Sequence, residues 1–280
     1  QSSEALSAYR MCLQHSAQTA VGNVMIPYLE LPGIQLGPVT IQAFGVFASL
    51  AVLCGLWYAY WLAEREMRCG QTLLRMAPWF LFPGFFGAHV ASLVFYYPQA
   101  FRDGHYWVLF DLTSGLSSYG GLFAGALGAY LFTRRYGLPV LPWLDVLARG
   151  FSLAYVFGRA GCTVTHDHPG IPTDFFLAVL YPARDGFPPG PRHDLGFYEL
   201  LLWISIFAAF HWLSRRRRPD GYFIGLLIIW YAPVRFGLDF LRIHDLTYLG
   251  LTFAQWCCIL VLPFGIWILA KASPIAKRAN

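Results

Sequence analysis

Residues 221 to 241 read GYFIGLLIIWYAPVRFGLDFL, an apolar run whose only charged residues are Arg235 and Asp239. A helix needs about 20 largely apolar residues to cross a bilayer, so this run predicts a transmembrane helix. Burying a charge at the centre of such a helix costs about 2.5 to 3.5 kcal/mol. The two charged residues therefore need a partner or a function.

The composition of the whole chain agrees with a membrane protein. Of 280 residues, 57% are hydrophobic and only 12% are charged, whereas soluble domains carry about 25% charged residues. The formal net charge is +5, but the basic residues fall in short clusters between apolar runs, which argues against nucleic-acid binding. The six cysteines show no spacing typical of a zinc or redox motif and most lie in apolar surroundings, and we single out Cys162 as a candidate site residue.

Seven apolar runs are long enough to be spans. We therefore predict an all-α integral membrane protein with about seven transmembrane helices, in which residues 38–270 form the catalytic domain. The spans are predicted at 40–63, 77–97, 117–133, 141–158, 196–213, 221–241 and 251–270.

The basic residues at the connections predict the orientation. They follow the first, third, fifth and seventh spans, and loops rich in Lys and Arg stay in the cytoplasm. The C-terminal tail 271–280 is then cytoplasmic, and the lead-in 1–37 and the loop 159–195 are extracytoplasmic. Twelve of the 20 basic residues carry this argument: Arg65, Arg68, Arg75, Arg134, Arg135, Arg215, Arg216, Arg217, Arg218, Lys271, Lys277 and Arg278.

With this topology, the polar residues of several spans fall in one outer layer. In the sixth span, polar residues recur at intervals of four, four and three, at Tyr231, Arg235, Asp239 and Arg242. These four residues therefore share one helical face. Arginine suits an anion such as a lipid phosphate, and a structural ion pair between helices is the alternative. The residues of this layer are His89, Tyr119, Gly120, Gly121, Arg159, Tyr231, Arg235, Asp239 and Arg242.

The two glycines of this layer open the third span, and two interpretations of them hold together. Gly120 and Gly121 leave backbone N–H groups free at a helix N-terminus, which attracts anions. They also let two helices pack closely.

The loop 159–195 contains His166-Asp167-His168 and, further on, Arg192-His193-Asp194. Three interpretations remain open: a capped turn, a metal site built from His166, His168 and His193 with Asp167 or Asp194, and a set of acid–base groups. We favour acid–base chemistry, because histidine titrates near neutral pH and Asp167 can orient one of the rings.

The order of these motifs resembles the prolipoprotein diacylglyceryl transferase family from about residue 30 to 260. The resemblance implies transfer of a diacylglyceryl group from phosphatidylglycerol to a lipoprotein cysteine thiol, with Arg159 and Arg235 on the phosphate. The similar motifs are Ile41-Gln42-Ala43-Phe44-Gly45, Ser118-Tyr119-Gly120-Gly121-Leu122, Phe157-Gly158-Arg159-Ala160-Gly161-Cys162, Arg192-His193-Asp194-Leu195-Gly196-Phe197-Tyr198-Glu199, Tyr231-Ala232-Pro233-Val234-Arg235-Phe236 with Asp239 and Arg242, and Gln255.

The chain also departs from the family pattern, which indicates a divergent member. The family's histidine before the paired glycines is Tyr119 here, so His166-Asp167-His168 is a candidate for a displaced base, and the acceptor can differ from a lipoprotein cysteine. The other departures are Phe44 for Tyr, Cys162 for Asn, His89 for Arg and Asp239 for Glu.

We expect a phospholipid-dependent transferase of the bacterial cytoplasmic (inner) membrane, with its active site facing the periplasm or outer leaflet. Its partners are phosphatidylglycerol and a prolipoprotein, and no cofactor or nucleic acid is expected. A metal-dependent phospholipid hydrolase or other lipid head-group enzyme, and a non-catalytic lipid- or lipoprotein-binding membrane protein, are the alternatives.

The catalytic residues are predicted to be Arg159, Arg235, Tyr119, His166, Asp167, His168 and His193. The substrate-binding residues are predicted to be Gly120, Gly121, His89, Cys162, Glu199, Tyr231, Asp239 and Arg242.

Overall fold

The structure is a computed structural model. It describes residues 25–31, 33–36, 39–99, 103, 106–110, 115–183, 188–243 and 246–272. Most of the predicted lead-in 1–37 and of the tail 271–280 lies outside the described residues.

Seven long helices make up most of the described chain, which confirms the helical membrane fold. Six of them are long and apolar enough to cross a membrane. The exception is α3, whose 18 residues end in Arg134 and Arg135 and contain four glycines. The helices are α1 (Ala43–Met67), α2 (Gly70–Phe95), α3 (Ser118–Arg135), α4 (Val140–Thr165), α5 (Leu195–Leu213), α6 (Tyr222–Asp239) and α7 (Phe253–Lys271).

Small residues allow the helices to approach closely. A Cβ added at Gly128 of α3 would lie 1.7 Å from the carbonyl oxygen of Trp79 on α2. Likewise, a Cβ at Gly150 of α4 would lie 2.7 Å from the Ala59 Cβ of α1. In a bilayer, where no hydrophobic effect drives helices together, such backbone contact is a main source of packing energy.

The segment between α4 and α5 folds into a small sheet that the sequence did not predict. Its strands β4 (Pro169–Pro172), β5 (Val179–Tyr181) and β6 (Gly190–Asp194) pair in the order β1-β5-β6-β4, where β1 is Ile26–Pro27. Two further hairpins are formed by β2 (Ile34–Leu36) with β3 (Val39–Ile41), and by β7 (Thr247–Tyr248) with β8 (Leu251–Thr252). The amide of Ile171 donates to the carbonyl of Leu241, which fixes the sheet to the end of α6.

Helix α4 carries polar groups near both of its ends. Near its start, Asp145 accepts hydrogen bonds from the amides of Gly221 (2.8 Å) and Ile224 (2.9 Å) and so caps α6. One turn later, Arg149 binds both oxygens of Glu66 at 2.5 and 2.7 Å. Arg159 lies about 15 Å beyond Arg149 along the axis, at 1.5 Å per residue. Helix α4 ends at Thr165 rather than near 158, so Arg159 and Cys162 lie on the helix and not in the loop.

Candidate active site

Three helices converge on the carboxylate of Glu199, which is 2% exposed. Nη2 of Arg159 from α4 lies 2.9 Å from its Oε2, and Nε of Arg235 from α6 lies 3.7 Å from its Oε1. The hydroxyl of Tyr231 donates to Oε2 at 3.0 Å. Glu199, predicted as a substrate-binding residue, thus lies between the two arginines as their shared counter-ion.

A second carboxylate extends the cluster along α6. Asp239 accepts hydrogen bonds from Arg235 and from the hydroxyl of Thr252, and Nε of Arg242 lies 4.0 Å from Asp239 Oδ1. Thr252 also caps α7 through a reciprocal pair of hydrogen bonds with Gln255. The end of α6 and the start of α7 are thereby fixed to one another at the cluster.

The cluster keeps buried hydrogen-bond donors without an acceptor among the described residues. The guanidinium groups of Arg159 and Arg235 face the carboxylates of Glu199 and Asp239. The Nε–H groups of Arg159 and Arg235 are buried and make no hydrogen bond among the described residues. A buried donor without an acceptor costs about 1 to 3 kcal/mol, so both groups are suited to receive an anionic ligand.

Tyr119 lies near this cluster but contacts a different partner. Its hydroxyl is 2.8 Å from Sγ of Cys258 on α7, and its ring packs in the same core as Trp203 and Tyr231. The neighbouring glycines pack α3 against α2, since a Cβ at Gly120 would lie 2.4 Å from the carbonyl oxygen of Gly87. A Cβ at Gly121 would lie 3.2 Å from the carbonyl oxygen of Gly84.

His89 is fully buried on α2. Its Nε2 lies 3.1 Å from the carbonyl oxygen of Leu109, in a short 3₁₀ helix at Tyr106–Phe110. Its Nδ1 has no hydrogen-bond partner among the described residues. This hydrogen bond does not join His89 to Arg159 or Arg235.

The three histidines of the loop have different surroundings. His166 is buried, lies 2.5 Å from Oδ2 of Asp194 through Nδ1 and stacks on Tyr28 at 4.0 Å. His193 lies on β6, with Nδ1 2.9 Å from the hydroxyl of Tyr198. Burial lowers the pKa of His193, so its imidazole is neutral at pH 7. The structure does not bring His166, His168 and His193 together as one set of metal ligands.

His168 and Asp167 lie next to the arginine cluster instead. They hydrogen-bond to one another, and both approach the thiol of Cys162, which lies 3.8 Å from Nη1 of Arg159. Burial alone would raise the pKa of Asp167, but the His168 hydrogen bond and the nearby charges of His168 and Arg159 hold that pKa below its ordinary value. Asp167 is therefore a carboxylate at neutral pH.

Sequence reasoning missed Thr252 and Cys258, which contact residues of this site. Neither belongs to a helical polar stripe, and each meets its partner only after the chain folds back. Asp194 was named only as a possible metal ligand, although an Asp just before a helix is a common cap. In the structure its Oδ1 accepts a hydrogen bond from Phe197 N at 2.8 Å.

One protein-family model matches most of this chain. The model of the family described as prolipoprotein diacylglyceryl transferase matches residues 33–271, which includes every helix above. The chain belongs to the prolipoprotein diacylglyceryl transferase family.

Named relatives of this transferase family cover most of the chain. A phosphatidylglycerol–prolipoprotein diacylglyceryl transferase of Nitratidesulfovibrio vulgaris (strain Miyazaki F) is 30% identical over 257 residues, which are 88% of this chain and 94% of the relative. The corresponding transferase 1 of Streptomyces coelicolor is 29% identical and covers 83% of this chain, while 69% of its own length is matched. That of Azotobacter vinelandii is 28% identical over 89% of this chain and 97% of its own length.

Proposed function

We propose that this protein transfers the diacylglyceryl group of phosphatidylglycerol to the cysteine thiol of a prolipoprotein. The observation that carries the proposal is the pair of buried arginines, Arg159 and Arg235, around Glu199 with two Nε–H donors unused. The family membership and the names of the relatives support the same reaction.

The chemistry of the reaction explains why arginines are needed. The sulfur attacks the carbon of the diacylglycerol moiety that carries the phosphate, and the bond between that carbon and the phosphate oxygen breaks. Glycerol phosphate leaves with the electron pair, so its phosphate changes from a diester with one negative charge to a monoester with two. Arg159 and Arg235 stabilise this added charge, and donors placed before the reaction are worth about 2.7 to 4 kcal/mol each.

The counter-ions stabilise the buried arginines. Glu199 and Asp239 offset the charges of Arg159 and Arg235, which makes the burial of both arginines tolerable before lipid binds. The two Nε–H groups that make no hydrogen bond among the described residues are the donors that we assign to the phosphate.

We propose that the cluster lies at the outer face of the bacterial inner membrane. The support is the clustering of basic residues at the opposite ends of the spans, as at Arg134 and Arg135 after α3. In this orientation the phosphate comes from an outer-leaflet lipid and the thiol from a secreted prolipoprotein. Labelling of single cysteines in intact cells tests this, with Cys69 expected to be inaccessible from outside.

Turnover is tested with purified protein, phosphatidylglycerol labelled in its acyl chains, and a peptide that carries one cysteine in a lipoprotein-type signal. We expect labelled peptide with wild type and with Arg216→Ala, whose arginine is exposed between α5 and α6. Arg159→Lys retains a positive charge but loses the forked donor geometry, so we expect a loss of at least about 100-fold in turnover, measured on protein that thermal unfolding shows to be folded at the assay temperature.

The outcomes separate the candidate functions. Folded wild-type protein that labels no peptide contradicts the transferase. Lipid cleavage that continues at the same rate without any peptide supports a phospholipid hydrolase instead. Full activity of Arg159→Lys contradicts the phosphate role of Arg159.

A further inference from the structure

Three different metal-ligand side chains meet at the end of α4. A sulfur of Cys162, a carboxylate oxygen of Asp167 and an imidazole nitrogen of His168 all lie within 4.8 Å of one another. Cys162 is buried, His168 is partly buried and Asp167 is exposed. Within the described part of the chain, no other group of three Cys, His, Asp or Glu side chains converges in this way.

A specific turn of the backbone brings the three residues together. His166 adopts a positive φ of 48°, which is uncommon for a residue with a side chain, and ends α4. The turn is fixed because His166 contacts Asp194 at 2.5 Å and stacks on Tyr28. Asp167 and His168 are thereby returned over the last turn of the helix, where Cys162 lies.

The set of donors selects the metal. Thiolate, imidazole and carboxylate together suit Zn²⁺, which binds such ligands at about 2.0 to 2.3 Å in a tetrahedron. Two ligands of such a tetrahedron are about 3.3 to 3.8 Å apart. The three ligand atoms, all within 4.8 Å of one another, therefore need only small shifts, in which the hydrogen bond between Asp167 and His168 opens. Three protein ligands with a fourth position open to solvent or substrate are typical of catalytic zinc.

We propose that Cys162, Asp167 and His168 bind a zinc ion, and that its open position receives the acceptor thiol. The second half of this statement rests on the proposed transferase function. The thiol loses its proton to solvent when it becomes a ligand, and the resulting thiolate is the nucleophile that the carbon–oxygen cleavage requires. No other reactant is needed, and the ion does not change its oxidation state.

The charge of the site is compatible with the arginine beside it. Thiolate and carboxylate ligands offset the two positive charges of the ion, so Arg159, 3.8 Å from Cys162 Sγ, meets a neutral centre. Because Arg159 contacts Cys162, the proposed metal site lies beside the side chain that we assign to the phosphate. Neighbouring residues would thus bind the acceptor thiol and the leaving group.

Metal content tests the site independently of activity. The protein is purified without a polyhistidine tag, and metals are measured by mass spectrometry. We expect about one zinc ion per chain in wild type. We expect zinc affinity to fall by more than about 100-fold in Cys162→Ser, Asp167→Ala and His168→Ala. This loss exceeds the 10- to 100-fold that is typical when a residue that only hydrogen-bonds to a metal ligand is replaced.

Matched variants control for these substitutions. Cys69→Ser, Asp174→Ala and His193→Ala replace the same residue types outside the group, and we expect them to keep the zinc. Cobalt substitution adds a spectroscopic test, since a thiolate-to-cobalt absorption band must be present in wild type and absent in Cys162→Ser. Wild type without zinc and without this band overturns the site.

The role of the ion has its own test. Adding the cysteine peptide to the cobalt protein must intensify the thiolate band, and a serine peptide must not. A band unchanged by the cysteine peptide, or full turnover after removal of the metal, overturns the role in thiol activation. Bound zinc without any transferase turnover leaves the site standing and contradicts the proposed function instead.

Discussion

Glu199→Gln offers the sharpest test of the buried charge cluster. The carboxylate lies 2.9 Å from a nitrogen of Arg159 and 3.7 Å from one of Arg235. At an effective dielectric constant of about 20, these contacts correspond to about 6 and 4 kcal/mol of attraction. Desolvation offsets much of this in the wild type, but an amide leaves two guanidinium groups buried without their shared counter-ion. We expect a net loss of about 3 to 5 kcal/mol in the free energy of unfolding.

The assay is thermal unfolding in detergent, with Tyr231→Phe and Glu30→Gln as references. A loss of 3 to 5 kcal/mol lowers the melting temperature by roughly 6 to 20 °C. Tyr231→Phe removes one hydrogen bond to the same carboxylate, for which we expect about 1.5 to 3 kcal/mol. Glu30 is exposed, and its replacement should cost less than about 1 kcal/mol. A melting temperature of Glu199→Gln within the range of Glu30→Gln would refute the cluster as a coupled unit.

Two further predictions concern packing and pH. Gly128→Ala places a methyl group against the carbonyl oxygen of Trp79, so we expect a loss of at least about 1 to 3 kcal/mol in the free energy of unfolding. A Cβ at Gly237 meets nothing within 4 Å, so Gly237→Ala should leave the melting temperature unchanged or slightly raised. Equal shifts for the two variants would contradict the close α2–α3 contact. Because burial lowers the pKa of His193, the unfolded chain takes up its proton first as the pH falls, so stability should decrease below about pH 6.5. His193→Gln should flatten this decrease between pH 7.5 and 5.5 in the same melting assay, and an identical pH profile in wild type and variant would show that another group is responsible.

Much of the candidate site could be expected from local sequence patterns. The spacing of Tyr231, Arg235 and Asp239 places them on one helical face whatever surrounds the helix, because 3.6 residues complete a turn. The structure adds what the pattern left open, namely that Glu199 from α5 lies between Arg235 and Arg159 from α4. Pairing across helices depends on which faces meet, and no periodicity within one segment encodes that.

The loop between α4 and α5 shows the limit of such reasoning most clearly. His166, His168 and His193 are of one residue type and close in sequence, yet His166 bonds to Asp194, His193 contacts Tyr198, and His168 faces Cys162. Each environment is set by a backbone turn or a strand pairing, and these depend on partners distant along the chain.

The sequence alone determined the helical membrane architecture, because apolar length and the distribution of charge act locally on each segment. It also determined that the arginines need an anion, since a charge buried in a bilayer must be compensated. Only the tertiary structure decided that Glu199 is the shared counter-ion and that Cys162, Asp167 and His168 form one group. The physical reason is that counter-ions and metal ligands are chosen by distances of a few ångströms between separate segments, and those distances exist only after the helices have packed.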